Sequence, residues 1–433
     1  AIQWAPVGSQ GDFLRVTVAK PHATVVAILA NDGAPFPHGW PADASLWRTI
    51  ADSDPDDDIR ITVDRLEPPT NRIIGGLPRT MRLARGSLSG AVYYEDRSSA
   101  GARVMRIHAV TAALEIVVPN PPPDPTTGER CFACHALTRD GRYIWGVQVG
   151  AINSVSYDLT TDLSGDSPPP RYPPTPIGAD VASFDPTGTY FVAGTMWSGP
   201  LAIFDATTSA AVASTGLPGA GSAYPSWSPD GMHIAFVGDV PLGNDVESAA
   251  GGPLVGNLYV ADRLRAAALD FVAPRIVHVG SSLAATPEGG TSDTHPTWSP
   301  DSRFVAFQHG TRPFTWAPNP GALYLLDTDG AVHRLDTASG PSGTAGYWPT
   351  FAPDITREAG DRSYYWVAFY SRRDYGNAML GTQGTGVKQL WVVAIDANPD
   401  QPGADPSFVP YWLPGQNIRT SNMSAFWAVD VPQ

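Results

Sequence analysis

The chain's 433 residues include only two cysteines. They are Cys131 and Cys134, and His135 follows directly. Cys-x-x-Cys-His is the spacing of covalent haem attachment. Two thiols at this separation reach the two vinyl groups of one porphyrin, and the adjacent imidazole falls beneath the iron as an axial ligand. A local disulfide or two buried thiols would also use this spacing. A zinc site would need a further Cys or His pair, and none stands out. The expectation is one covalently bound haem c, held by Cys131 and Cys134, with His135 on the iron.

The elements that position this motif emerge from repeats. Tyr224-Pro225-Ser226-Trp227-Ser228-Pro229-Asp230-Gly231 precedes Ile234-Ala235-Phe236, and His295-Pro296-Thr297-Trp298-Ser299-Pro300-Asp301-Ser302 precedes Val305-Ala306-Phe307. Looser copies are Trp348-Pro349-Thr350-Phe351-Ala352-Pro353-Asp354 and Ser183-Phe184-Asp185-Pro186-Thr187-Gly188. Each reads as a strand, a tight turn and a second apolar strand. A third strand follows in most copies, as in Leu258-Tyr259-Val260, Leu323–Asp327 and Leu390–Val393. Ala136-Leu137-Thr138-Arg139-Asp140-Gly141 falls in the same register, which puts the haem motif at the head of a repeat's first strand.

This pattern resembles the TolB-like β-propeller repeat, in which Trp-Ser-Pro-Asp-Gly opens a four-stranded blade. The resemblance spans about two thirds of the chain. It implies an all-β fold with blades opening near residues 136, 183, 226, 297 and 350. A sixth blade combines strands in 89–118 with an inner strand from Asn422 to Trp427, so that the two ends close the ring and no sheet edge is left open. The expected organisation is a six-bladed propeller over residues 82–433 and a small N-terminal β-sandwich over residues 1–81. Within the latter, 14–18, 25–29 and 59–63 read as strands. A proline-rich stretch at 119–125 leads into the haem motif and is expected to cross the propeller face.

An iron with His135 on one face has a second face to fill. Aligning the first strands puts Cys134, Val181, Tyr224, His295, Trp348 and Met423 at equivalent places around the ring. The blade opposite the haem motif carries His295, which makes it the first candidate for the distal ligand, ahead of Met423 in the closing blade. Met196 is a weaker one. Tyr224 and Trp348 would then flank the haem. The acidic run Asp52, Asp54, Asp56, Asp57 and Asp58 lacks the glycine and distal glutamate of a helix-loop-helix calcium site and reads as a solvated turn. No Gly-x-Ser-x-Gly elbow or paired carboxylates stand out, so the sequence displays no hydrolase machinery.

Composition narrows the function. The chain is 42% hydrophobic and 16% charged, with 43 glycines and 43 prolines, as expected of short strands joined by tight turns. A net charge of −14 argues against nucleic acid, whose phosphates need clustered cations. No apolar run is long enough to cross a bilayer as a helix. Resemblance to c-type cytochromes implies attachment outside the cytoplasmic membrane, hence a periplasmic or extracellular protein whose leader has been removed. The leading expectation is a mono-haem cytochrome that exchanges electrons with a protein or small-molecule partner. The alternatives are a peroxidase- or oxygenase-type haem enzyme with an open distal site, and a partner-binding propeller whose haem is sensory or structural.

Overall fold

A computed structural model describes residues 2–4, 9–32, 38–41, 43–54, 57–98, 101–123, 128, 130–148, 153–179, 181–194, 199–240, 255–266, 268–311, 321–340, 345–357, 362–377, 386–399 and 404–429. The chain divides into two compact units, Ala1–Ser87 with Asp374–Thr385, and Leu88–Arg373 with Gly386–Gln433. No helix among the described residues is long and apolar enough to cross a membrane.

The smaller unit is built on one antiparallel sheet, in the order Thr24–Ala30, Phe13–Ala19, Ile59–Glu67, Arg72–Ile74, with Arg79–Met81 also on Ile59–Glu67. Alternation along Phe13–Ala19 buries Leu14, Val16 and Val18. Where a second sheet was expected, the core under these residues is completed by a two-stranded ribbon, Ile2–Gln3 with Gly39–Trp40, and by the helix Ala44–Asp52. The helix starts where the Asp43 carboxylate accepts the Leu46 N–H at 2.8 Å, and it turns Leu46, Trp47 and Ile50 inward. The acidic run serves this local structure. Asp52 ends the helix, and Asp54 accepts the His22 N–H at 2.9 Å. Asp56 lies outside the described residues.

The larger unit is a series of antiparallel sheets, all but one laid down in chain order from its first strand outward. One runs Ala133–Leu137, Tyr143–Gln148, Asn153–Asp158, Thr175–Pro176, and the next Val181–Phe184, Tyr190–Gly194, Ala202–Asp205, Ala211–Val212. Ala223–Trp227, His233–Gly238, Asn257–Asp262 and Arg275–His278 make another, followed by Ser292–Trp298, Phe304–Gly310, Gly321–Asp327 and Val332–Arg334. Tyr347–Phe351, Ser363–Ser371, Gln389–Asp396 and Tyr411–Trp412 follow, with the small strand Thr356–Arg357 added on Ser363–Ser371. The remaining sheet takes three strands, Ala91–Ser98, Gly101–His108 and Leu114–Ile116, from before the haem motif and its first strand, Ser421–Ala428, from the end of the chain. Each first strand touches the first strands of the sheets on either side, and Ser421–Ala428 touches both Tyr347–Phe351 and Ala133–Leu137. The array is therefore a closed ring around a central channel.

The repeat motif locks the first turn of three sheets in the same way. The Ser228 hydroxyl accepts the His233 N–H at 2.8 Å and donates to Asp230, whose carboxylate also accepts the Met232 N–H at 2.9 Å. Ser299 and Asp301 make the same set on the next sheet, as do Thr138 and Asp140 after the haem motif. Trp298 staples neighbouring sheets, its Nε1 donating to the Ser226 carbonyl at 3.1 Å, while Trp427 Nε1 ties the approach to its paired strand by donating to the Ser89 carbonyl at 2.8 Å.

Ring closure rests on Ser421–Ala428, which buries Met423, Ala425, Trp427 and Ala428. Burial of its larger side chains is worth roughly 1.5–3 kcal/mol each, and its removal also exposes an edge on Ala91–Ser98. Deleting residues 420–433 should abolish cooperative unfolding or cause aggregation. A truncated chain that melts like the intact one would refute this closure.

Candidate functional site

Five of the inner strands share a local irregularity. Between Ala133 and Ala136, Ala223 and Ser226, Thr294 and Thr297, Tyr347 and Thr350, and Met423 and Phe426, the ladder gains one residue on the inner strand. The first inserted residue is in each case a non-glycine at left-handed φ: Cys134 at 50°, Tyr224 at 51°, His295 at 52°, Trp348 at 49° and Ser424 at 52°. Such a backbone costs about 1–3 kcal/mol per residue and tends to mark functional positions. Val181–Phe184 is the exception and pairs with Tyr190–Gly194 without a shift.

These residues line one channel with a cavity of about 180 Å³. The expectation for Cys134, Tyr224, His295 and Trp348 agrees with their register, but the closing strand needs a correction. The residue equivalent to Cys134 is Ser424, not Met423, because the extra residue follows Met423 rather than including it. Met423 pairs in register with Glu95, and its Sδ sits 4.0 Å from Lys388 Nζ. It is not among the residues that line the channel. Met196 lies outside the described residues.

His295 packs against two aromatic neighbours in a triangle of tilted rings. Its centroid lies 4.0 Å from that of Tyr224 and 4.1 Å from that of Trp348. Its Nδ1 is 3.0 Å from the Thr294 hydroxyl, while Nε2 is buried with no hydrogen-bond partner. The turn end of the channel is bridged by Arg139, whose Nη2 donates to the Pro353 carbonyl at 2.6 Å and the Pro300 carbonyl at 3.3 Å.

The haem motif is wedged between the sheet it begins and the closing sheet. Phe132 is buried against Tyr157 at 5.4 Å, and a side chain at Gly146 would collide with its ring. The Cys134 N–H donates to Glu95 Oε1 at 2.5 Å, and Glu95 Oε2 accepts from Arg97 Nε at 2.8 Å. Glu95 is wholly buried. Burial pulls the Arg97 guanidinium pKa down, but Glu95, Cys134 and Cys131 more than offset it, so one cation serves both thiols. Cys131 is half-buried, with its Sγ 3.8 Å from the Ala102 carbonyl. Upstream, Arg130 and Gln148 each donate at 2.8 Å to the carbonyls of Pro121 and Pro122, which ties the proline-rich approach down. Residues 124–127 and 129 lie outside the described residues.

His135 is buried beside Phe426, at 5.1 Å between ring centroids, and neither ring nitrogen makes a hydrogen bond of good geometry, the Tyr93 carbonyl acting on the ring only weakly. An orphaned imidazole is costly unless something binds it. Two thiols under one cation and a partnerless imidazole fit a thioether-bound porphyrin. The cavity is smaller than the ~300–1,000 Å³ of pockets that enclose a small molecule, so it cannot take a porphyrin whole. No cluster of three or more His, Cys, Asp or Glu suited to a metal occurs among the described residues. Glu95, Arg97, Lys388 and Arg139 escape the sequence reading. For the first two the available signal is a charged triplet, Glu95-Asp96-Arg97, inside an apolar strand.

Both imidazoles stay neutral. Burial lowers the His135 pKa to about 4, against the opposing pull of Glu95 and the Tyr93 carbonyl. Burial, with the Lys388 charge added, takes that of His295 well below the ordinary 6.5. The unfolded chain thus binds protons that the folded chain refuses. Stability is fully present above about pH 6.5 and is lost as pH falls towards 4. The His135 gap corresponds to about 3 kcal/mol. For the polypeptide alone, the urea midpoint should fall between pH 6.5 and 4.5, and His135→Leu should flatten that fall. An equally steep fall in the variant would contradict the assignment.

No protein-family model matches the chain, and no curated protein matches it. Among solved structures, it is similar to TolB from Acinetobacter baumannii, at 15% identity and TM-score 0.39 over 82% of this chain and 80% of that one. It is also similar to the hydrazine synthase of Kuenenia stuttgartiensis, at 15% identity and TM-score 0.37 over 66% and 74%. A nidogen/laminin complex matches at 10% identity and TM-score 0.42 over 78% and 98%.

Proposed function

We propose that the chain is an exported mono-haem c-type cytochrome on a six-bladed TolB-like β-propeller, and that it transfers electrons. The sheets of the larger unit are its blades, and the propeller spans residues 82–433 after an N-terminal domain of residues 1–81. One observation carries the reading. Cys134 and His135 share a strained bulge on the channel wall, and the bulge three sheets further round holds His295 with an unpartnered Nε2.

A haem bound here supplies a one-electron iron couple. Cys131 and Cys134 would hold it by thioether bonds, with the Arg97 guanidinium close enough to act on both sulfurs. His135 would offer the iron a neutral imidazole, and so would His295. The Thr294 hydroxyl oxygen can accept from His295 Nδ1–H, the tautomer that leaves Nε2 its lone pair. Tyr224 and Trp348 both pack against the His295 ring and hold it in place. An iron held by both histidines would favour electron transfer over substrate binding, with a redox protein or small electron carrier as the partner.

The absorption spectrum of the exported protein tests the ligand set. It should be low-spin in both redox states, and His295→Ala should turn it high-spin. A low-spin spectrum unchanged in that variant would eliminate His295. A high-spin spectrum in the intact protein would favour a haem enzyme with an open site.

A further inference from the structure

Away from the channel, three side chains that no sequence motif connects form a relay. Ser282 lies in the short turn Gly280–Leu283, just after the outermost strand Arg275–His278, and Asp293 lies at the start of the innermost strand Ser292–Trp298. Ser282 Oγ is 3.1 Å from His278 Nε2, and His278 Nδ1 is 2.6 Å from Asp293 Oδ2. We propose that Ser282, His278 and Asp293 form a nucleophilic triad that hydrolyses carboxylic esters.

Each member meets the geometric demand of its role. A serine is activated by a base within hydrogen-bond reach, and that base must be oriented by a third group. Asp293 is wholly buried and held through its other oxygen, Oδ1, 2.8 Å from Nδ1 of the equally buried His309. The His278 side chain is 9% exposed, with Phe307 packed 5.4 Å from its ring. Ser282 is exposed, so an acyl donor reaches it from solvent.

The turn carrying the serine is fixed. The Gly280 N–H donates to Asn257 Oδ1 at 2.9 Å, and the Ser282 N–H donates to the Val279 carbonyl at 2.9 Å. A Cβ at Gly280 would lie 2.5 Å from the carbonyl oxygens of both Gly256 and Thr291, so only glycine fits there. A polar staple between two sheets would need only Asp293 and its two imidazoles. The hydroxyl on the solvent side of His278 adds nothing to such a staple.

In the step assigned here, Ser282 Oγ bonds to the ester carbonyl carbon and its proton passes to His278 Nε2. The bond from that carbon to the alcohol oxygen breaks, and His278 returns the proton to the departing alcohol. Water then attacks the acyl-serine, giving one proton to His278. The Oγ–carbon bond breaks, His278 reprotonates Ser282, and the acid leaves. The open surface favours small esters with good leaving groups, such as aryl acetates.

The test treats the intact protein with an aryl phosphonyl fluoride and maps the adduct by mass spectrometry. Labelling should fall on Ser282, drop more than tenfold in His278→Gln and Asp293→Asn, and persist in Ser281→Ala. The intact protein should also hydrolyse a chromogenic aryl acetate, and Ser282→Ala, a change at an exposed position, should abolish this while leaving the urea midpoint in place. Absence of a Ser282 adduct, or labelling undiminished in His278→Gln, would overturn the proposal.

Discussion

Ser421–Ala428 lies antiparallel to Ala91–Arg97, so the last described strand becomes the innermost strand of a sheet whose other members precede the haem motif. The rest of the larger unit depends on this pairing. A ring of sheets buries its inner strands only while every sheet has a neighbour on both sides, and one missing strand opens two edges. The same pairing builds the wall behind the motif. It sets Glu95 opposite Met423 and places Phe426 against His135. Closure and the surroundings of His135 are thus one piece of structure, and loss of the closing strand removes both.

The second organising feature is the extra residue in the inner strands. An ordinary strand alternates its side chains between faces. The extra residue breaks that alternation at Cys134, Tyr224, His295, Trp348 and Ser424, all of which line the channel. The left-handed backbone at each site carries a cost, and closure of the ring supplies the rigidity that holds it. At three of these positions, Tyr224, His295 and Trp348, the side chains pack on one another. They occupy a level of the channel that would otherwise be void.

Much of this was legible in the residues. The Trp-Ser-Pro-Asp-Gly copies mark strand, turn and strand because each hydroxyl and carboxylate has a fixed N–H to satisfy. Counting back from Trp427 as from Trp227 to Tyr224 yields Ser424, so the assignment of Met423 was an error of one place that the spacing itself corrects. The helix Ala44–Asp52 carries its signal in the Asp43 cap and in Leu46, Trp47 and Ile50, too few turns for periodicity to stand out. Glu95 was hidden because its partner, the Cys134 N–H, belongs to another sheet. The Ser282 relay was hidden for a similar reason, since it draws on an outer strand, a turn and an inner strand that meet only when folded.

The central claim is that the motif binds haem covalently on a propeller wall, and the intact mass of the exported protein under denaturing conditions tests it most directly. Acid and organic solvent strip any haem held by coordination alone, so a thioether-bound group is the only one that stays. The account predicts the polypeptide mass plus one haem, with the increment mapped to the peptide containing Cys131 and Cys134. The bare polypeptide mass, with no haem retained, would contradict it.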